Sequence, residues 1–234
     1  MKRSLKSLTA ALAAVTAMTC AALPAYAAAA PNVSRSVSVT KTTGGWKTIE
    51  GSLSMNKNPE ARNAFKKVTK NIPGVSYKAI AALATQVVAG TNYAILCCST
   101  EEGADPRSDI KVIYIYEDLR GKVEIIGFTT IISDSIVKNS FTANTGKYAM
   151  SSNKDVYKYF KKAMKGSTDI TYEPAAYLGS RKDDDGTTYL VLCRSRKDDR
   201  SQYEYSLVKV YRDSKGKVAP GEAVDLPLGE YDEA

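Results

Sequence analysis

Apolar residues recur along this chain with two different spacings. Between Pro59 and about Lys70, Ala61, Ala64, Phe65 and Val68 return every three or four positions, which puts them on one face of a helix. Asn58 and Pro59, just ahead of them, suit a helix cap and a first-turn residue. After the break at 71–74 the pattern becomes extended. Segments 76–88 and 92–99 read as strands meeting at 89–91, and 110–117 and 123–131 as two more joined at 118–122. Segment 46–53 predicts a further strand before the helix. The order then repeats, with a helix over 153–165 that buries Val156, Tyr159, Phe160 and Ala163 or Met164. Strands follow near 171–179, 187–194, 203–211 and 218–226.

The repetition is also one of residues. At a shift of 95 or 96 positions, Phe65, Lys66 and Lys67 fall on Phe160, Lys161 and Lys162. Gly90, Thr91, Tyr93, Leu96, Cys97 and Ser99 fall on Gly186, Thr187, Tyr189, Leu192, Cys193 and Ser195. Tyr116, Asp118, Gly121, Lys122 and Val123 fall on Tyr211, Asp213, Gly216, Lys217 and Val218. The expectation is an α+β protein of two tandem lobes, each a helix packed on a wrapped antiparallel sheet of four to five strands. The first lobe would span 44–132 and the second 147–228. Segment 133–146, rich in Ser, Asn, Thr and Asp, would be the linker, 28–43 a flexible leader and 229–234 a C-terminal tail.

The first 27 residues read as an export signal. Lys2, Arg3 and Lys6 precede an apolar run from Leu8 to Leu23, and Ala25, Tyr26 and Ala27 form a small-x-small cleavage site. Pro24 interrupts the run before it reaches the ~20 apolar residues of a membrane span. Residues 1–27 carry three positive charges and no negative ones, so cleavage lowers the net charge from +8 to +5. A mild excess of Lys and Arg, interleaved with Asp and Glu, reads as solvated faces of an exported protein rather than a nucleic-acid site.

Three cysteines remain, Cys97, Cys98 and Cys193, and an odd number makes no closed disulfide framework. Neighbours on a strand point to opposite faces, so Cys97 and Cys98 cannot both be core residues if one face of their sheet is wet. The chain has no histidine. That removes Ser/His/Asp and Cys/His nucleophilic chemistry and every His-containing metal site, and three dispersed cysteines do not make a zinc site. The expectation is a protein that is not an enzyme and carries no cofactor or metal.

Gln86, Val87, Val88, Ala89, Gly90, Thr91, Asn92 and Tyr93 carry the one motif with a function attached. The run resembles the first inhibitory hairpin of the cystatins, which block papain-like cysteine peptidases with a Gln-x-Val-x-Gly loop. Gly44 and Gly45 lie about forty residues upstream, where that family carries a glycine before its helix. The resemblance covers about 44–131 in order and spacing. It implies two cystatin-like lobes, with Gln86, Val87, Val88, Ala89 and Gly90 as the central peptidase-binding loop and Gly44 and Gly45 as the leader contact.

The physical case is that a blunt, uncharged tip can enter an apolar cleft without burying an unpaired charge. Gln86 would add amide contacts, and Gly90 would permit positive φ and close approach to the enzyme. Two departures narrow the expectation. The family's second hairpin carries Pro-Trp, whereas the corresponding turn here is Asp118, Leu119, Arg120 and Gly121, so any second contact falls to Leu119 and Arg120. The second copy of the loop is Arg181, Lys182, Asp183, Asp184, Asp185 and Gly186, a charged turn that resists burial. The expected function is reversible occlusion of a papain-like cysteine peptidase by the first lobe of a secreted protein. The alternative is a non-inhibitory secreted or cell-envelope module that binds a ligand or partner protein.

Overall fold

The computed structural model describes residues 45–133, 140–166, 170–197 and 202–234, and every structural statement below concerns these residues. The export signal 1–27, the leader 28–43 and Gly44 lie outside them. In chain order the elements are β1 (Lys47–Thr48), α1 (Pro59–Thr69), β2 (Val75–Val88), β3 (Gly90–Glu101), β4 (Ser108–Asp118), β5 (Val123–Ile132) and β6 (Thr142–Ala143). A short 3-10 turn, Met150–Ser152, leads into α2 (Lys154–Ala163), β7 (Thr171–Lys182), β8 (Gly186–Arg196), β9 (Glu204–Asp213), β10 (Val218–Asp225) and β11 (Asp232–Glu233).

The helices lie where the apolar period places them, and they bury Ala61, Ala64 and Phe65 in α1 and Val156, Phe160 and Ala163 in α2. Asn58 does not cap α1. Its amide instead turns back and donates to Ser52 O (2.8 Å) and Ser54 O (2.9 Å), tying down the approach loop. Asn153 repeats this ahead of α2, donating to Lys147 O (2.7 Å) and Ala149 O (2.9 Å). The two halves also share their irregularities. β2 bulges between Ala79 and Ala81 and between Ala82 and Ala84, and β7 between Pro174 and Ala176 and between Tyr177 and Gly179, so both long strands bend at matched places.

The expected fold class does not hold. Strands make up 53% of the structure and helices 14%, and the strands form two antiparallel sheets rather than two tandem helix-on-sheet lobes. One sheet runs β1-β2-β3-β4-β5-β11 and the other β10-β9-β8-β7-β6. Each sheet covers a helix with one face: α1 sits on Ala82, Tyr93, Ile95, Cys97, Ile113 and Ile115, and α2 on Val191, Cys193, Val208 and Val210. The opposite faces pack on each other. Leu83, Leu96, Ile110, Val112 and Tyr114 of the first sheet share the largest apolar cluster with Leu178, Leu190, Leu192, Tyr205 and Leu207 of the second.

The described residues all belong to one compact unit, built as helix, sheet, sheet, helix. The physical reason is that both faces of the central strands are apolar, so neither sheet can leave one face in water. Cys97 and Cys98 are both buried, one toward α1 and the other toward the second sheet.

Polar contacts join the halves as well. Tyr205 Oη donates to Leu83 O (2.8 Å) within the shared core. Arg194 donates to Glu50 O (2.7 Å) and Gly51 O (3.0 Å) while it pairs with Glu173 at 2.8 Å. Segment 133–146, expected as a linker, contains β6, which pairs with β7. Segment 229–234, expected as a tail, contains β11, which returns to pair with β5. The single tryptophan, Trp46, stacks edge-on against Tyr114 (5.5 Å), and Tyr114 in turn meets Tyr231 (4.5 Å).

Candidate functional site

β2 and β3 form a tight hairpin in which Val88 pairs with Gly90 and only Ala89 stands between them. β3 continues into β4 so that Gly90 pairs with Asp118, the residue before Leu119 and Arg120. The two turns therefore sit side by side at one end of the first sheet. β1 runs antiparallel to β2 with Lys47 opposite Thr85, which directs the chain upstream of Lys47, through Gly45, toward the Val87 end. Gly45 is exposed with open space around it. The structure thus brings Gly45, the Gln86–Gly90 segment and Leu119–Arg120 to one end, while Gly44 lies outside the described residues.

Within the loop the residues divide by exposure. Val87 is 67% exposed, Ala89 is exposed and Val88 is half-buried, whereas Gln86 and Gly90 are buried. Gln86 is held from below: Asn92 Nδ2 donates to its Oε1 at 2.8 Å. Gly90 has φ +139, and a Cβ there would lie 2.8 Å from the Tyr116 ring and against Glu117 O. The close approach that requires glycine is therefore to the chain's own β4. Tyr116 Oη donates to Ala89 O at 2.6 Å and braces the tip.

Leu119 is 87% exposed. Its turn is held by Asp118, whose Oδ1 accepts the backbone N–H of Arg120 (2.8 Å) and of Lys122 (2.9 Å). The Lys122 N–H contributes most to holding the Asp118 carboxyl below the ordinary Asp range. Beneath both turns, Glu117 bonds Lys67 of α1 (3.0 Å) and accepts from Tyr93 Oη (3.3 Å). Burial, aided by Glu117, pushes the Tyr93 phenol up to about 12. Tyr116 and Glu117 lie outside the motif, and Asn92 lies within it but was given no role. The signal that marks Tyr116 is its repeat partner, since Tyr211 Oη donates to Asp185 O (3.0 Å) in the second half.

The equivalent second-half turn is polar throughout. Asp183 Oδ1 accepts the N–H of Asp185 (3.2 Å) and of Gly186 (3.0 Å), and Asp184 and Asp185 are exposed. Burial pushes the thiols of Cys97 and Cys193 far up, which leaves them as un-ionised packing groups. Among the described residues, no group of three or more His, Cys, Asp or Glu is placed to hold a metal ion, and no helix is long and apolar enough to cross a membrane. No protein-family model matches the chain, and no curated protein matches it.

Proposed function

We propose that the paired turns at 86–90 and 118–121 form a blunt wedge that docks into the active-site cleft of a papain-like cysteine peptidase and occludes it reversibly, outside the producing cell. The observation that carries this is the exposure of Val87 and Leu119. The other exposed large hydrophobic residue among the described residues, Tyr157, is only 38% exposed, and Val87 and Leu119 crown adjacent turns. Each stands on a braced turn, so little conformational freedom is lost on docking. The likeness of Gln86–Tyr93 to the cystatin hairpin supports the same reading. In it, Val87, Val88, Ala89 and Leu119 make the contacts, Arg120 flanks them, and Gln86, Gly90 and Tyr116 set the shape. Gly45 lies alongside. The second-half turn, with three successive aspartates, takes no part.

The test is titration of the protein against papain with a fluorogenic substrate. Competitive loss of activity that weakens at least about tenfold in Val87→Asp supports the wedge, because a carboxylate would be buried unpaired. Full papain activity at high micromolar protein would overturn it.

A further inference from the structure

The duplication has not preserved charge at one place. In the first half a cleft of ≈ 370 Å³ is lined by Glu60, Asn63, Lys66, Lys67 and Glu117, where two acids offset two bases. The residues at the repeat positions are Asp155, Lys158, Lys161, Lys162 and Arg212, one acid against four bases. At the positions of the Lys67–Glu117 ion pair that ties α1 to β4, the second half has Lys162 and Arg212. Lys122, which reaches Glu124 at 3.8 Å, becomes Lys217, with Ala219 in place of the acid.

Along α2, Lys154, Lys158 and Lys162 fall on one stripe about 12 Å long, with Lys161 beside it and Lys165 just past the helix end. All five are exposed. Among the described residues, none of these lysines, nor Arg212, forms an ion pair. Tyr157, 38% exposed, lies on the same helix with Lys161 Nζ 4.5 Å from its ring centroid, and Arg212 stacks over Tyr159 at 5.4 Å.

From this we infer that the outer face of α2, with Arg212 of β9 beside it, docks on an anionic lipid surface. Charge complementarity is the first argument: four to eight clustered bases are what negatively charged headgroups attract. Shape is the second. α2 is one of the two outer layers and carries its lysines in a row along a helix, so it meets a plane along its length, whereas a single nucleic-acid strand needs a channel with stacking platforms. Tyr157, with an apolar ring and a polar tip, suits the headgroup level. The face belongs to a different layer from the Val87 and Leu119 turns, so the inference stands or falls independently of peptidase binding.

The experiment is co-sedimentation of the full chain with phosphatidylcholine vesicles, with and without phosphatidylglycerol. Binding is expected only with phosphatidylglycerol, and is expected to vanish at about 0.5 M salt. The double variant Lys158→Glu/Arg212→Glu is expected to lose at least about tenfold in apparent affinity, and Lys158→Gln/Arg212→Gln less. Lys66→Glu/Lys70→Glu, the same charge change on α1, is expected to shift it less than about twofold. Circular dichroism confirms that each variant is folded. Binding to neither vesicle, equal loss in the α1 and α2 variants, or tighter binding to polyphosphate or an oligonucleotide than to vesicles of equal phosphate concentration would overturn the inference.

Discussion

Gln86 is a motif residue held inside the fold, so its substitution bears on stability as well as on binding. Its side chain is buried, and its Oε1 accepts from Asn92, itself buried. Gln86→Ala would leave the Asn92 amide short of an acceptor, at a cost of about 1–3 kcal/mol in stability. The expected result is a lower urea midpoint together with weaker papain inhibition. Weaker inhibition at unchanged stability would mean that Gln86 contacts the peptidase directly. Asp118 makes a pH prediction at the neighbouring turn. Its folded pKa lies below its ordinary value of 3.8, so the carboxylate stabilises the folded turn at neutral pH, and that contribution is lost as pH falls through the folded value. The amide resonances of Arg120 and Lys122 should therefore titrate with a midpoint below 3.8 in NMR spectra. A midpoint at or above that value would show that the hydrogen bonds do not hold the carboxylate in solution.

At the scale of elements, both helices and the eight long strands were legible to within a few residues, because each carries enough periodic positions to declare itself. β6 and β11 were not, since two residues contain no period and their pairing depends on what lies opposite, while β1 fills only two positions of the strand expected over 46–53. The turns divide in the same way. Gln86–Gly90 stood out by its residues, while its brace from Tyr116, 27 residues away, is a product of strand pairing. Tyr116→Phe would remove that brace at a cost of about 0.5–1.5 kcal/mol, and the loop should loosen without any change in its exposed surface. Faster dissociation from papain with an unchanged association rate is the expected kinetic signature. Leu119→Asp addresses the other turn: the side chain is solvated, so thermal stability should hold, while affinity drops about tenfold or more if the turn enters the cleft. Unaltered affinity would confine the wedge to the first hairpin.

For the whole molecule, the misreading came from treating the two repeats as two cores. The run Tyr93–Cys98 is apolar at every position, and such a run belongs to a strand covered on both sides. The cysteine pair already posed the question, and the second sheet answers it by covering Cys98 while α1 covers Cys97. What no local pattern could give was the identity of the cover, because it lies about a hundred residues away. Division at the linker is therefore a strong test. A fragment of residues 44–132 keeps α1 and β1–β5 but exposes Leu83, Leu96, Ile110, Val112 and Tyr114, and it loses the β11 pairing and the Tyr231 stack. It should fail to melt cooperatively and should bind a hydrophobic dye, and its Trp46 fluorescence should be red-shifted relative to the intact chain. Adding a fragment of residues 140–234 should restore cooperativity and blue-shift Trp46, because the two apolar faces then cover each other. A first fragment that melts cooperatively alone, with dispersed amide resonances, would show that the shared core is not what holds this half together.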